Sequence, residues 1–479
     1  MTKQTKQLII VGGGITGLSA AFYAGKKARE AGIPVHITIL DKGKQLGGKI
    51  ETLRKQGFVI EKGPDSFLAR KLPMIELARE LNLEQELVAT NPKARKNYIL
   101  QKGKLKLMPP GLVLGIPTQV RPFISTNLIS MKGKARAAMD LILPRKKTAG
   151  DESLGHFIER RLGREVLDNI AEPLLAGIYA GDTYKLSLGA TFPQFQQLEQ
   201  KYRSLIMGMV QSRKQTQASD RLPDYAKNTT FLTFRNGLST LVEALEQALE
   251  QKVEFRMQTD VQAIETQGSQ QIVHVTGESG PEQLTADALI VTVPGYGLSR
   301  LFPDVPAVQT FADMEYVSVA NVVLAYEANT ARIPYEGSGF VIPRTEGRFI
   351  TACTWTSVKW PHTAQDGRIL LRCYVGRSGD QRYASMTDEE LVAAVRRDVA
   401  ELMDIQAAPL FSEVTHLKRS LPQYPIGHRE RMQQAREALS SQYPMTRMTG
   451  ATFEGVGLPD CIAQGKEAAE ELVERLNET

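Results

Sequence analysis

Residues 7–11 (Gln-Leu-Ile-Ile-Val) form an unbroken apolar run, followed at once by Gly12-x-Gly14-x-x-Gly17 and then by a segment of helical spacing, Leu18 to Ala31. A short continuous apolar run predicts a buried parallel strand. The glycines after it have separate uses. Gly12 permits a tight turn, Gly14 lets backbone approach a pyrophosphate, and Gly17 allows the helix to pack closely on the strand. Ile15 and Thr16 complete the turn, whose free N–H groups and helix dipole favour an anion. A second strand, Val35 to Leu40, ends in Asp41, where a carboxylate can accept hydrogen bonds from ribose hydroxyls, with Lys42 beside it. This βαβ unit of about 30 residues predicts an α/β fold.

The rest of the chain is read by its periodicity. Residues 57–68 lead from a strand into a Gly/Pro turn, a short helical stretch covers about 72–92, and 98–107 reads as a hairpin turning at Lys102-Gly103-Lys104. From 120 to about 210 the apolar spacing is mostly helical, and the polar, basic segment 211–228 reads as an exposed loop. A helix, Gly237 to Gln251, and a strand, Val253 to Arg256, precede an alternating meander through Val261 to Val275 and a buried strand from Ala288. Residues 316–327, 338–343, 348–356 and 368–376 alternate as strands of a mixed or antiparallel sheet. Helices follow at 388–404 and from Ala463 to Leu476.

A chain of 479 residues exceeds one ordinary core and predicts two or three domains. The net charge of +6 suits nucleic acid, an anionic membrane surface or a polyanionic small molecule. Basic clusters occur at Lys102-Gly-Lys104-Leu-Lys106 and Arg145-Lys146-Lys147, but no zinc, RNA-binding or helix-turn-helix signature accompanies them, which argues against nucleic acid. Cys353, Cys373 and Cys461 fit neither a metal site nor a disulfide framework and read as buried small hydrophobes in a reducing compartment. With no signal-peptide pattern and no apolar span of about 18 residues, the expectation is a cytoplasmic protein without an integral membrane span. The histidines are scattered, so no metal site and no hydrolytic triad is expected.

A second glycine motif narrows the reading. Asp41 is followed, after five residues, by Gly47-Gly48-Lys49, and the C-terminal part carries Thr449-Gly450-Ala451 through Gly455-Val456-Gly457 before its last helix. These segments resemble the extended fingerprint and C-terminal flavin segment of the amine-oxidase-like flavoproteins, which include monoamine oxidases, phytoene desaturases and protoporphyrinogen oxidases. In that superfamily the acid after the second strand is commonly Glu; here it is Asp41, one methylene shorter. Gly63-Pro64-Asp65-Ser66-Phe67, Glu172 to Asp182 and Phe453-Glu454-Gly455-Val456-Gly457 resemble the bacterial oxygen-dependent porphyrinogen oxidases. The likeness extends over essentially the whole chain and is nearest to the soluble Gram-positive type that forms coproporphyrin III from coproporphyrinogen III.

The resemblance implies FAD as cofactor, O2 as oxidant with H2O2 produced, and coproporphyrinogen III as substrate in haem biosynthesis, with protoporphyrinogen IX a second candidate. Transient contact with other enzymes of that pathway belongs to the same expectation. It also implies that Gly63, Pro64, Asp65, Ser66, Gly450 and Val456 lie at the flavin, that the backbone of Val253 meets adenine, and that Lys71 and Arg70 lie near the substrate. Gly177-Ile178-Tyr179-Ala180-Gly181 is an apolar stretch between small residues that suits a flat tetrapyrrole, with Ile178 at its centre. No protein residue is named as hydride acceptor, since a flavin takes that role.

The expected fold is α/β (α+β overall). A Rossmann-like FAD-binding domain is assembled from the discontinuous segments 1–72, 229–298 and 440–479. Residues 73–92, 211–228 and 299–439 form a mixed-sheet substrate domain, and 93–210 a helical domain. A flavin amine oxidase, a carotenoid desaturase and a non-catalytic FAD-binding redox protein remain as alternatives.

Overall fold

The computed structural model describes residues 4–146, 150–215 and 222–478. β1 (Lys6–Val11) is followed by α1 (Ile15–Ala31) and β2 (Val35–Leu40). β1 lies third in a five-stranded parallel sheet ordered Val253–Arg256, β2, β1, Ala288–Val291, Thr446–Met448. Strand alternation splits β1 between two cores. Leu8 and Ile10 pack with α1, the helix Ser239–Leu249 and the C-terminal helix Leu458–Glu478, while Ile9 and Val11 face the antiparallel meander Asp260–Ala286 and the helical part of the chain.

A second sheet has seven strands, ordered Phe411–Pro422, Tyr316–Tyr326, Ile369–Val375, Ile350–Trp355, Gly339–Val341, Asn97–Gln101, Lys104–Leu107. Only Gly339–Val341 and Asn97–Gln101 pair in parallel, so the sheet is mixed. The helix Asp388–Met403, closed at its start by a capping box between Thr387 and Glu390, covers one face through Leu391, Val395 and Val399.

Several expectations need correction. The hairpin 97–107, assigned with the helices of 93–210, extends the seven-stranded sheet, because Phe340 and Tyr98 share its register. The helix expected over 72–92 ends at Glu80, and Leu87–Ala89 instead pairs with Phe231–Phe234. That helix, assigned with the substrate domain, buries Met74, Ile75, Leu77 and Ala78 in the same core as β1 and the C-terminal helix. The exposed loop expected at 211–228 begins as the end of a helix, Leu205–Gln215, and its turn at Asp224–Lys227 buries Ala226; residues 216–221 lie outside the described residues, as does Lys147. Sequence periodicity missed the strand Phe411–Pro422 and the helix His428–Gln442. All three cysteines are buried and unpaired. No helix among the described residues is long and apolar enough to cross a membrane.

Candidate cofactor and substrate site

The carboxyl ends of β1, Ala288–Val291 and Thr446–Met448 meet at one edge, running into Gly12, Thr292 and Thr449. Gly12 has φ +112°, and a Cβ there would come within 2.4 Å of the Thr292 hydroxyl. A Cβ on Gly17 would lie 1.9 Å from the Gly12 carbonyl, so the helix can sit this close only as glycine. At Gly14 the reverse holds: nothing lies within 4 Å of an added Cβ. Gly14 caps α1 without a side-chain bond, there is no acid in the first turn, and the first amide bonding back is that of Leu18, to the Gly14 carbonyl at 3.0 Å. The positive dipole end of the helix thus lies at the open space beside Gly14.

Gly47 and Gly48 close that space from the other side. The Gly47 amide donates to the Gly13 carbonyl at 2.9 Å, and a Cβ on Gly48 would lie 3.2 Å from the Gly14 Cα. Both have positive φ, +98° and +61°, where glycine is favoured. Asp41 holds the turn together: its Oδ2 accepts from the Gly13 amide and its Oδ1 from the Gly43 amide, each at 2.6 Å. Lys42 is exposed. Gly450, at φ +109°, brings the C-terminal loop to Thr16, whose hydroxyl lies 3.3 Å from a Cβ built on Gly450. Gln464 fixes this loop, accepting from the Gly450 amide at 3.1 Å and donating to the Glu454 carbonyl at 2.6 Å; Val456 is half-buried within it.

Val253 lies back from the glycine turns along the sheet. Its register is with Ile37, three residues before the end of β2, so it lies about 10 Å from the glycine edge. The residues that reach that edge are Gln258 and Thr259, whose amides donate to the carbonyls of Gly43 and Asp41 at 2.9 Å each. Sequence reasoning missed these two and Gln464; the Gln258–Thr259 turn after a four-residue strand was the available signal.

The Gly63 segment arrives beside the second glycine motif. A Cβ on Gly63 would lie 1.8 Å from the Lys49 carbonyl, and Arg372 donates to the Gly63 carbonyl. Pro64 is half-buried. Asp65 accepts from Ser66 at 2.7 Å and from Lys359 at 3.2 Å, with Arg372 4.0 Å away. Burial works to raise the Asp65 pKa, but Lys359 and Arg372 outweigh it and hold it well below the usual carboxylate range. Its carboxylate therefore anchors the segment to the seven-stranded sheet. Lys49 is accessible along its length, yet its ammonium is enclosed by protein and donates to the Ser420 carbonyl; desolvation lowers its pKa.

Lys71 caps the helix Leu72–Glu80, and its ammonium pairs with Asp460 in the first turn of the C-terminal helix at 2.5 Å. Arg70 is exposed and makes no ion pair among the described residues. Ile178 is half-buried in the helix Glu172–Tyr179, next to Gly177, where an added Cβ meets nothing within 4 Å. Tyr179 packs edge-on to Tyr424 at 6.0 Å, and burial, then Asp460, pushes its pKa well up. Burial also pushes the Cys461 thiol to about 11. The chain therefore gathers Lys49, Lys71, Asp460 and the Ile178–Tyr179 turn beside the glycine edge. No group of His, Cys, Asp and Glu suited to a metal occurs among the described residues.

A parallel sheet with glycine turns from three separate strands at its carboxyl edge defines a dinucleotide-binding oxidoreductase fold. Residues 15–473 match the flavin containing amine oxidoreductase family, and the chain belongs to that family. It is 45% identical over 473 residues to the coproporphyrinogen III oxidase of Bacillus subtilis (strain 168), covering 99% of each chain. It is 44% identical to that of Staphylococcus aureus (strain NCTC 8325 / PS 47), covering 98% of this chain and 100% of the other. A solved structure described as a protoporphyrinogen oxidase from Exiguobacterium sp. 255-15 superposes with a TM-score of 0.86 at 36% identity, covering 99% and 100% of the two chains. A UDP-galactopyranose mutase, at TM-score 0.70 and 16% identity, shares the fold alone.

Proposed function

We propose that this chain is an FAD-dependent oxidase that converts coproporphyrinogen III to coproporphyrin III with O2, releasing H2O2. The observation that carries the reading is the open approach at Gly14, at the positive end of the first helix, with Gly48 and Gly450 brought close to it. These residues suit a flavin dinucleotide. The pyrophosphate would lie against Gly14, Ile15 and Thr16, the ribose by Asp41 and Thr259, and the ring system toward Gly450, Val456 and Lys49. When bound, the flavin accepts hydride from a bridging carbon of the porphyrinogen and passes electrons to O2.

The chain's own residues bind, orient and exclude water. Ile178 and Gly177 offer a flat apolar wall, while Lys71 offers a cation for propionates. Burial keeps Tyr179 and Cys461 protonated near neutral pH, so neither serves as a base. Protoporphyrinogen IX has two propionates where coproporphyrinogen III has four, so a site built around cations favours the latter. The same reading assigns the enzyme to the cytoplasm.

Purified protein tests this reading. The flavin released on denaturation should be intact FAD, and aerobic incubation with coproporphyrinogen III should produce porphyrin fluorescence. FMN in place of FAD, or turnover of simple amines in place of porphyrinogens, would point to a different family member.

A further inference from the structure

The helix Glu172–Tyr179 ends in a turn whose carbonyls cannot be satisfied within the helix. Ala180 stands at φ +48°, a left-handed conformation that costs free energy for a residue with a Cβ. Three consecutive carbonyls point away from the helix, and each is held by a different segment. The Tyr179 carbonyl accepts from the Gln423 side chain at 2.8 Å, that of Ala180 from the Ser378 amide at 2.7 Å, and that of Gly181 from Arg344 at 3.1 Å. Arg344 also pairs with Glu172, at the opposite end of the same helix, at 2.8 Å, and donates to the Ser378 carbonyl at 2.6 Å. One guanidinium thus spans the helix from its start to beyond its end and fastens both to the second sheet. Gln423 fits as tightly: a Cβ on Gly181 would lie 2.0 Å from its amide oxygen.

Burial raises the Glu172 pKa even with Arg344 beside it, so loss of the guanidinium would raise it further. The helix is preceded by a π-turn, Leu167–Ala171, a geometry that frequently occurs at functional sites. These contacts are polar and stand apart from the apolar side-chain packing of Leu175 and Tyr179. They set the position of the turn.

We infer that Arg344, assisted by Gln423, is a positioning residue that fixes the wall Gly177–Gly181 against the tetrapyrrole. The inference rests on the reading that Ile178 lines the substrate space. Arg344 does not touch the flavin loops, so its loss should act on substrate binding. The geometry requires a fork of donors, which lysine lacks.

The test uses the FAD-loaded enzyme, with amide hydrogen exchange of the peptide covering 172–183 read beside kinetics. Arg344→Ala should raise KM for coproporphyrinogen III about tenfold with kcat within about twofold, and should speed exchange at 177–183 while leaving the flavin spectrum unchanged. Arg344→Lys should recover only part of either effect. Gln423→Ala should show the same pattern more weakly, and decides the matter if Arg344→Ala does not fold. Unchanged KM and unchanged exchange in the folded variants would overturn the inference. An Ile178→Ala variant separates the two claims: if it too leaves KM unchanged, the substrate wall itself is misplaced, whereas a KM effect in Ile178→Ala alone removes Arg344 and Gln423 and keeps the wall.

Discussion

Lys71 and Asp460, 389 residues apart, form an ion pair that joins the first turns of two helices beside the loop Gly455–Gly457. The pair is partly exposed, with 34% and 28% of the side chains accessible. Lys71 is therefore a cation already balanced by a carboxylate.

That balance sets the sign of the first prediction. Lys71→Ala removes the cation and leaves Asp460 to repel propionates. A lost charge-assisted hydrogen bond contributes about 1.5–3 kcal/mol, so kcat/KM should fall about tenfold to a hundredfold on coproporphyrinogen III and less on protoporphyrinogen IX. Asp460→Asn added to Lys71→Ala should return part of the loss, and added salt should narrow the gap between substrates. Equal losses on both substrates would take Lys71 out of substrate recognition.

Gly14 and Gly17 should respond oppositely to substitution. Gly14→Val places methyl groups in open space, so the fold should persist while flavin occupancy falls to near zero. Gly17→Ala drives a Cβ against the Gly12 carbonyl, so soluble, folded protein should itself be lost. Flavin content per chain and Tm distinguish them. Full flavin occupancy in Gly14→Val would put the phosphate elsewhere.

Glu61 should make stability depend on pH near neutrality. It accepts from the Leu238 amide at 2.6 Å and from Thr52 at 2.9 Å, and Arg372 and Asp65 face it. Burial outweighs these bonds and raises its pKa to about 7. The folded state then holds a proton that the unfolded chain has released, so the contribution of Glu61 to stability falls as pH rises from about 4.5 to about 7, by about 3 kcal/mol, while His362, whose pKa burial lowers to about 4, contributes with the opposite sign over about 4 to 6.5. Asp65 has a lowered pKa, and its contribution is lost only on acidification below the normal carboxylate range. The urea-unfolding midpoint of Glu61→Gln should therefore gain on that of the unsubstituted protein as pH rises from about 4.5 to about 7. An unchanged slope in that variant would assign the dependence to another group.

Ile178→Asp should abolish porphyrinogen turnover while the bound flavin spectrum stays as it was, since Ile178 touches the helical core and not the glycine turns. Loss of flavin together with turnover would indicate a folding role for this position.

The parts legible in the sequence are those set by local pattern. Val35–Leu40 was readable to the residue because it is a short, mostly apolar run, and Val253–Arg256 because apolar and charged residues alternate in it. The glycine turns were readable because each glycine answers a close approach. Phe411–Pro422 escaped because most of it is only partly buried and its charged residues break the alternation. The Lys71–Asp460 pair and the Arg344 clamp join distant segments, and no spacing rule connects them.

The most direct test of the central claim is a stoichiometry. FAD-loaded protein and coproporphyrinogen III are mixed under air, with porphyrin, O2 and H2O2 followed together. The account predicts coproporphyrin III formed in three two-electron oxidations, with three O2 consumed and three H2O2 released per porphyrin, and no reaction above background in flavin-free Gly14→Val. Porphyrin formed at the background rate, or formed without matching O2 consumption, would contradict it.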